Sequence, residues 1–175
     1  QYQNLKRDID DAMQQVAAEG RYILGPNVVA LEKEIAAYCD CKHAAGVANG
    51  TDALHLALRA LRIGPGDEVI TTPFTFVATT EAIGIVGAKP VFVDIDPQTY
   101  NMDVTKIEAA ITPRTKAIMP VHYAGLAVDM LAVLDIARRH GLRVVEDAAH
   151  ALPTTLEKEL IGTLGSDASV FSFYA

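Results

Sequence analysis

Apolar positions along the chain follow two alternating rhythms. Leu54, Ala57, Leu58 and Leu61 fall on one face at helical spacing, as do Met130, Val133, Leu134 and Ala137, and also Ile107, Ala110 and Ile111. Each set predicts an amphipathic helix. Around them lie short apolar runs at 44–48, 68–72, 90–95, 117–122, 143–147 and 169–173, which read as strands. Turn chemistry separates them: Gly64-Pro65-Gly66-Asp67 precedes one run, Asp96-Pro97 follows another, and Gly141 stops the helix that ends near His140. Strand and helix alternating at this spacing predict an α/β fold, a mostly parallel sheet covered by helices on both faces. At the amino end, 8–19 reads as a helix stopped by Gly20, and 28–38 as another that opens after Gly25-Pro26. The segment between them, with glycines at both ends and Arg21 and Tyr22 inside, suits either a ligand-approaching loop or a plain connection.

The chain has 175 residues, half of them hydrophobic, enough for one substantial core and little more. Its 15 basic and 22 acidic residues give a net charge of −7, which repels a phosphate backbone and excludes nucleic acid as a natural partner. No apolar stretch approaches the roughly 20 residues that span a bilayer, and the first residues lack an apolar signal core. A soluble, cytoplasmic protein with no membrane partner is expected. Cys39 and Cys41 are too close for an ordinary disulfide and have no second Cys or His pair at metal-ligand spacing, so both are read as reduced thiols.

Three segments carry candidate chemistry. In Arg143-Val144-Val145-Glu146-Asp147-Ala148-Ala149-His150 an apolar strand ends in acid, delivering Asp147 to the carboxyl edge of the sheet, where ligands of open parallel sheets bind. A buried carboxylate there can keep a pyridine nitrogen protonated; equally, it can cap a following helix. In Asn49-Gly50-Thr51-Asp52-Ala53-Leu54 a run breaks directly into the Leu54 helix. Free N–H groups at that helix start attract a phosphate, unless the segment is simply capped by Asn49, Thr51 or Asp52. In Thr72-Pro73-Phe74-Thr75-Phe76-Val77-Ala78-Thr79 two aromatics follow a strand end, one for stacking on a flat ring and the other for packing. Sequence alone does not say which is which.

Taken in order, these segments resemble the DegT/DnrJ/EryC1/StrS family of pyridoxal-phosphate (PLP)-dependent sugar aminotransferases, within the fold-type I aminotransferases. The likeness extends through Gly25-Pro26, Gly64-Pro65-Gly66-Asp67-Glu68-Val69-Ile70, Val93-Asp94-Ile95-Asp96, Ile111-Thr112-Pro113-Arg114-Thr115-Lys116-Ala117-Ile118, Pro120-Val121-His122-Tyr123-Ala124-Gly125 and Phe171-Ser172-Phe173. The resemblance implies that Asp147 pairs with the pyridine nitrogen, that His150 lies near the ring, and that Phe76 stacks on it. It further implies that Gly50, Thr51 and the backbone of Asp52 cradle the phosphate with Ser172, and that Tyr22 and His122 line the sugar pocket. Residues 1–26 are expected to form an amino-terminal helix and active-site loop, and 27–175 an incomplete PLP-binding large domain.

The family's Schiff-base lysine falls five residues beyond the serine matched by Ser172, two positions past Ala175. No lysine present stands in that motif; Lys116 and Lys158 read as surface residues. The chain is therefore read as the amino-terminal part of a larger homodimeric enzyme, inactive by itself, that moves an amino group from glutamate to a nucleotide-linked keto-sugar. Two alternatives stay open: a dehydratase that uses the amine form of the cofactor (PMP) with histidine in place of the lysine, and a non-catalytic sugar-nucleotide-binding or regulatory module. A dinucleotide-binding domain is disfavoured, since no Gly-x-Gly-x-x-Gly follows a strand.

Overall fold

The computed structural model describes residues 2–173. The chain divides into two compact units, one running up to Gly46 and the other from Val47 onward. The first holds α1 (Tyr2–Glu19) and α2 (Pro26–Tyr38). Gly20, at φ 67°, ends α1 in the left-handed conformation that costs glycine little, and Pro26 opens α2 where its missing N–H is not needed. Thus α2, expected with the large domain, falls in the first unit. Run 44–48, expected as a strand, forms none: its residues are largely exposed, and a short apolar run without a ladder partner has nothing to hold it extended.

The second unit is built on a five-stranded sheet of β1 (Glu68–Thr71), β2 (Lys89–Phe92), β3 (Thr115–Ile118), β4 (Arg143–Asp147) and β7 (Ala168–Val170). Every pairing is parallel, in the order β2-β1-β3-β4-β7. Successive residues send their side chains to opposite faces. Val69, Ala117 and Val145 join a core with α3 (Gly50–Ala60) and α4 (Val77–Ile85), whereas Ile70, Ile118 and Val144 join a core with α6 (Met130–His140) and with Ile107 of α5 (Ile107–Ala110). The sheet is covered on both faces, as the alternating pattern predicts. Pro90 fits because β2 is an edge strand, where a missing donor breaks no interior ladder.

Local chemistry sets several boundaries. Asp129 caps α6 by accepting from the Ala132 N–H at 3.0 Å, and Gly141, at φ 64°, closes it. The helix expected through Ile111 stops at Ala110, since Thr112 precedes Pro113 and the chain leaves the helical region before a proline. A two-stranded hairpin of β5 (Thr155–Leu156) and β6 (Glu159–Leu160) turns through Glu157 and Lys158, both at positive φ. Lys116 and Lys158 are exposed. Among the described residues, no helix is long and apolar enough to cross a membrane.

Candidate functional site

After β1 the chain runs out to β2, returns across β1 to β3 and continues outward to β4, so the crossovers leave β1 and β3 in opposite directions. In such sheets ligands collect at the carboxyl edge. Asp147 ends β4 at this edge and is held there by its backbone: its N–H donates to Pro120 O at 2.9 Å, and its carbonyl accepts from the His122 N–H at 3.1 Å. The next residue continues the tie, Ala148 N–H donating to Val170 O at 2.9 Å. The Asp147 side chain is buried. Its Oδ2 accepts from the Thr79 hydroxyl at 2.7 Å, and its Oδ1 from the Ala149 N–H at 3.3 Å. The carboxylate therefore caps no long helix; a turn, not a helix, follows it.

Just past that turn opens a cleft of about 400 Å³, walled by Ala124, Ala149, His150, Leu152, Ser172 and Phe173. His150 is exposed on this wall, and Ser172 reaches it from the segment after β7. Opposite Ser172 stands the start of α3, which packs against β4 and β7. A Cβ placed on Gly50 would come within 3.3 Å of Ser172 Cβ and 3.4 Å of its Oγ, so a larger residue here would press on Ser172 and narrow this gap. Asn49 is the N-cap, its side chain accepting from the Asp52 N–H at 2.9 Å. The Asp52 amide, expected to face a phosphate, is here engaged by the cap. The two amides ahead of it, on Gly50 and Thr51, have no carbonyl within the helix to pair with and remain oriented along the axis.

The two aromatics separate cleanly. Phe74 packs against Tyr123 and Tyr100, with ring centroids 4.8 and 5.6 Å away, while Phe76 at the N-cap of α4 is 74 % exposed. Packing claims Phe74 and leaves Phe76 a bare ring face at the start of the helix whose Thr79 grips Asp147.

His122, expected at the sugar pocket, sits in the core. Its side chain is fully buried: Nδ1 accepts from the Val128 N–H at 3.1 Å, which puts the ring proton of the neutral form on Nε2, 2.9 Å from Glu146 Oε2. With both nitrogens engaged in the core, the ring lines no open cleft. Glu146, which precedes Asp147 and so points to the other face of β4, is equally buried. Burial pushes its carboxyl up, but hydrogen bonds from His122, Ser166 and Ser169 outweigh this and hold it below the ordinary range. Sequence reasoning missed Glu146 and Thr79; the signal for the first was an acid inside an apolar run, and for the second there was none. Tyr22 lies in the first unit, largely exposed, its hydroxyl donating to Ala17 O at 3.4 Å. Cys39 is buried and Cys41 exposed, both as free thiols.

The family profile of the DegT/DnrJ/EryC1/StrS aminotransferases matches residues 3–175. The chain belongs to that family. Members of the DegT/DnrJ/EryC1/StrS family are PLP-dependent, and solved neighbours include forms with bound PMP. Among its relatives, a pleiotropic regulatory protein of Geobacillus stearothermophilus is 52 % identical over 99 % of this chain and 46 % of its own length. The UDP-N-acetyl-3-dehydro-alpha-D-glucosamine 3-aminotransferase of Acidithiobacillus ferrooxidans is 50 % identical over 97 % of this chain and 46 % of its own. The solved structure of DesV from S. venezuelae superposes with a TM-score of 0.95 at 45 % identity, covering 99 % of this chain and 46 % of that one. The chain thus spans a little under half the length of the family relatives it matches, and its fold is that of the fold-type I large domain.

Proposed function

We propose that the whole protein is a PLP-dependent aminotransferase that moves an amino group from glutamate to a keto-sugar carried on a nucleotide. The observation that carries this reading is Asp147: a buried carboxylate at the carboxyl edge of a parallel sheet, beside a cleft, with one oxygen held by Thr79 and the other only loosely engaged. The surrounding residues fit the cofactor. Gly50 leaves room against Ser172, the Gly50 and Thr51 amides with the Ser172 hydroxyl suit a phosphate, and Phe76 offers a face to a flat ring.

When bound, PLP supplies a protonated, electron-withdrawing ring that stabilises charge developing on the amino-bearing carbon. The protein's part is to hold the ring nitrogen's proton with Asp147, anchor the phosphate at the α3 start, cover one ring face with Phe76 and keep His150 at the cleft wall. The residue that exchanges the proton and holds the cofactor covalently is expected beyond Ser172, in the segment matched by the family's lysine. A sugar-nucleotide-binding module without chemistry has no need to protonate a pyridine, so Asp147 also favours the enzyme over a regulatory reading. The same proposal makes the intact enzyme a cytoplasmic homodimer.

Purified full-length protein is expected to show the visible absorption of bound PLP and to retain the cofactor covalently after borohydride. A protein that stays colourless in excess cofactor, with no adduct by mass, would refute the assignment. Its amine form is expected to aminate nucleotide-linked keto-sugars far faster than pyruvate or oxaloacetate; the reverse preference overturns the sugar and leaves the cofactor standing.

A further inference from the structure

Thr79 links two elements far apart in sequence, the first turn of α4 and the last residue of β4. Its hydroxyl lies 2.7 Å from Asp147 Oδ2 and 2.7 Å from the Thr75 hydroxyl, and the residue is fully buried. A hydroxyl has one proton, and an ionised carboxylate only accepts. Thr79 must therefore donate to Asp147, and the second contact must run from Thr75 to Thr79. The direction of the whole chain is fixed: Thr75 to Thr79 to Asp147. Each link polarises the next, and the low local dielectric strengthens both.

We infer that Thr79 is a positioning residue for Asp147, with Thr75 acting through it, and that the pair presets which carboxylate oxygen meets the cofactor's ring nitrogen. This rests on Asp147 being the ring's partner, as proposed above. The two oxygens are unequal. Oδ2 receives the short, charge-assisted bond from Thr79, whereas among the described residues Oδ1 is met by the Ala149 amide alone, at 3.3 Å, and keeps lone-pair capacity for an incoming N–H donor. Because Asp147 is buried, water cannot set this orientation.

The test uses full-length protein and measures PLP affinity and the pH dependence of the bound cofactor's absorption, with thermal unfolding alongside. Thr79→Val, which keeps the shape and removes the hydroxyl, is expected to weaken PLP affinity roughly tenfold or more and to shift the absorption profile along the pH axis. Thr79→Ser is expected to restore both. Thr75→Val should move both in the same direction by less, and it carries the test should Thr79→Val not fold. Loss of thermal stability with unchanged affinity and profile in the variants would reduce the contact to a structural staple and overturn the inference. Asp147→Asn, run in parallel, separates the two readings. If it abolishes the signature while folded Thr79→Val leaves it intact, only the Thr79 proposal falls; if Asp147→Asn itself changes nothing, both fall.

Discussion

Neighbouring acids on one strand show how side-chain direction divides labour. Glu146 and Asp147 are adjacent, so the pleat turns one into the core and the other toward the sheet's carboxyl edge. Asp147→Asn preserves shape and removes the charge; in the full-length enzyme it is expected to lower turnover by orders of magnitude, corresponding to about 3 kcal/mol of lost electrostatic stabilisation, with folding intact. Near-normal turnover in a steady-state assay would show that the carboxylate serves only its local hydrogen bonds. His122 predicts the opposite pattern. His122→Ala strands the buried Glu146 carboxylate without a main partner and is expected to destabilise by about 3 kcal/mol, seen as an earlier urea midpoint. An unchanged midpoint would show that water or Ser166 and Ser169 suffice.

At the scale of an element, α3 is set up by three consecutive choices. Asn49 takes the Asp52 amide, Gly50 omits a side chain facing Ser172, and Thr51 follows with an amide that the helix leaves unpaired. Gly50→Ala puts a methyl 3.3 Å from Ser172 Cβ, narrowing the gap between the helix start and the segment after β7. Its expected outcome is weaker PLP affinity by about tenfold with helix content unchanged by circular dichroism, because alanine is the better helix former. Equal affinity would remove this gap from the phosphate site. The neighbouring helix α4 escaped sequence reading altogether. Val77–Ile85 buries Ala78, Thr79, Ala82 and Ile83 and carries apolar residues most of the way round, leaving no polar face to mark the helical period.

For the molecule as a whole, acid sensitivity is written into carboxylates at opposite ends of the sheet. Glu68 at the start of β1 is held below its ordinary value of 4.5 by hydrogen bonds from Thr112 and Arg114. Glu146 at the end of β4 is also held below 4.5, its burial outweighed by His122 and two serines. For a depressed carboxyl the stabilisation is fully present above the unfolded value and is lost as pH falls through the folded one. Unfolding free energy of the full-length protein, from urea titrations, is therefore expected to hold steady near neutrality and to decline once the pH passes below about 4.5. Glu68→Gln should flatten part of that decline; an identical acid profile would assign the loss to other groups.

The sequence by itself determined what is periodic or local. Amphipathic helices at 54–61 and 130–137, the parallel α/β class, the αL stop at Gly141 and the position of Asp147 at a strand end all follow from spacing and turn chemistry, because each depends on residues a few positions apart. The ordered motifs carried the family as well. Only the tertiary structure decided what depends on distant neighbours: that 44–48 finds no strand partner, that α2 falls with the amino-terminal unit, and that Phe74 is claimed by Tyr100 and Tyr123 while Phe76 is left bare. It also turned His122 from a pocket wall into a buried partner of Glu146, and tied Thr79 to Asp147 across 68 residues of chain. A side chain's type states which bonds it can make, but packing decides which partner is within 3 Å, and that partner is often far away in sequence.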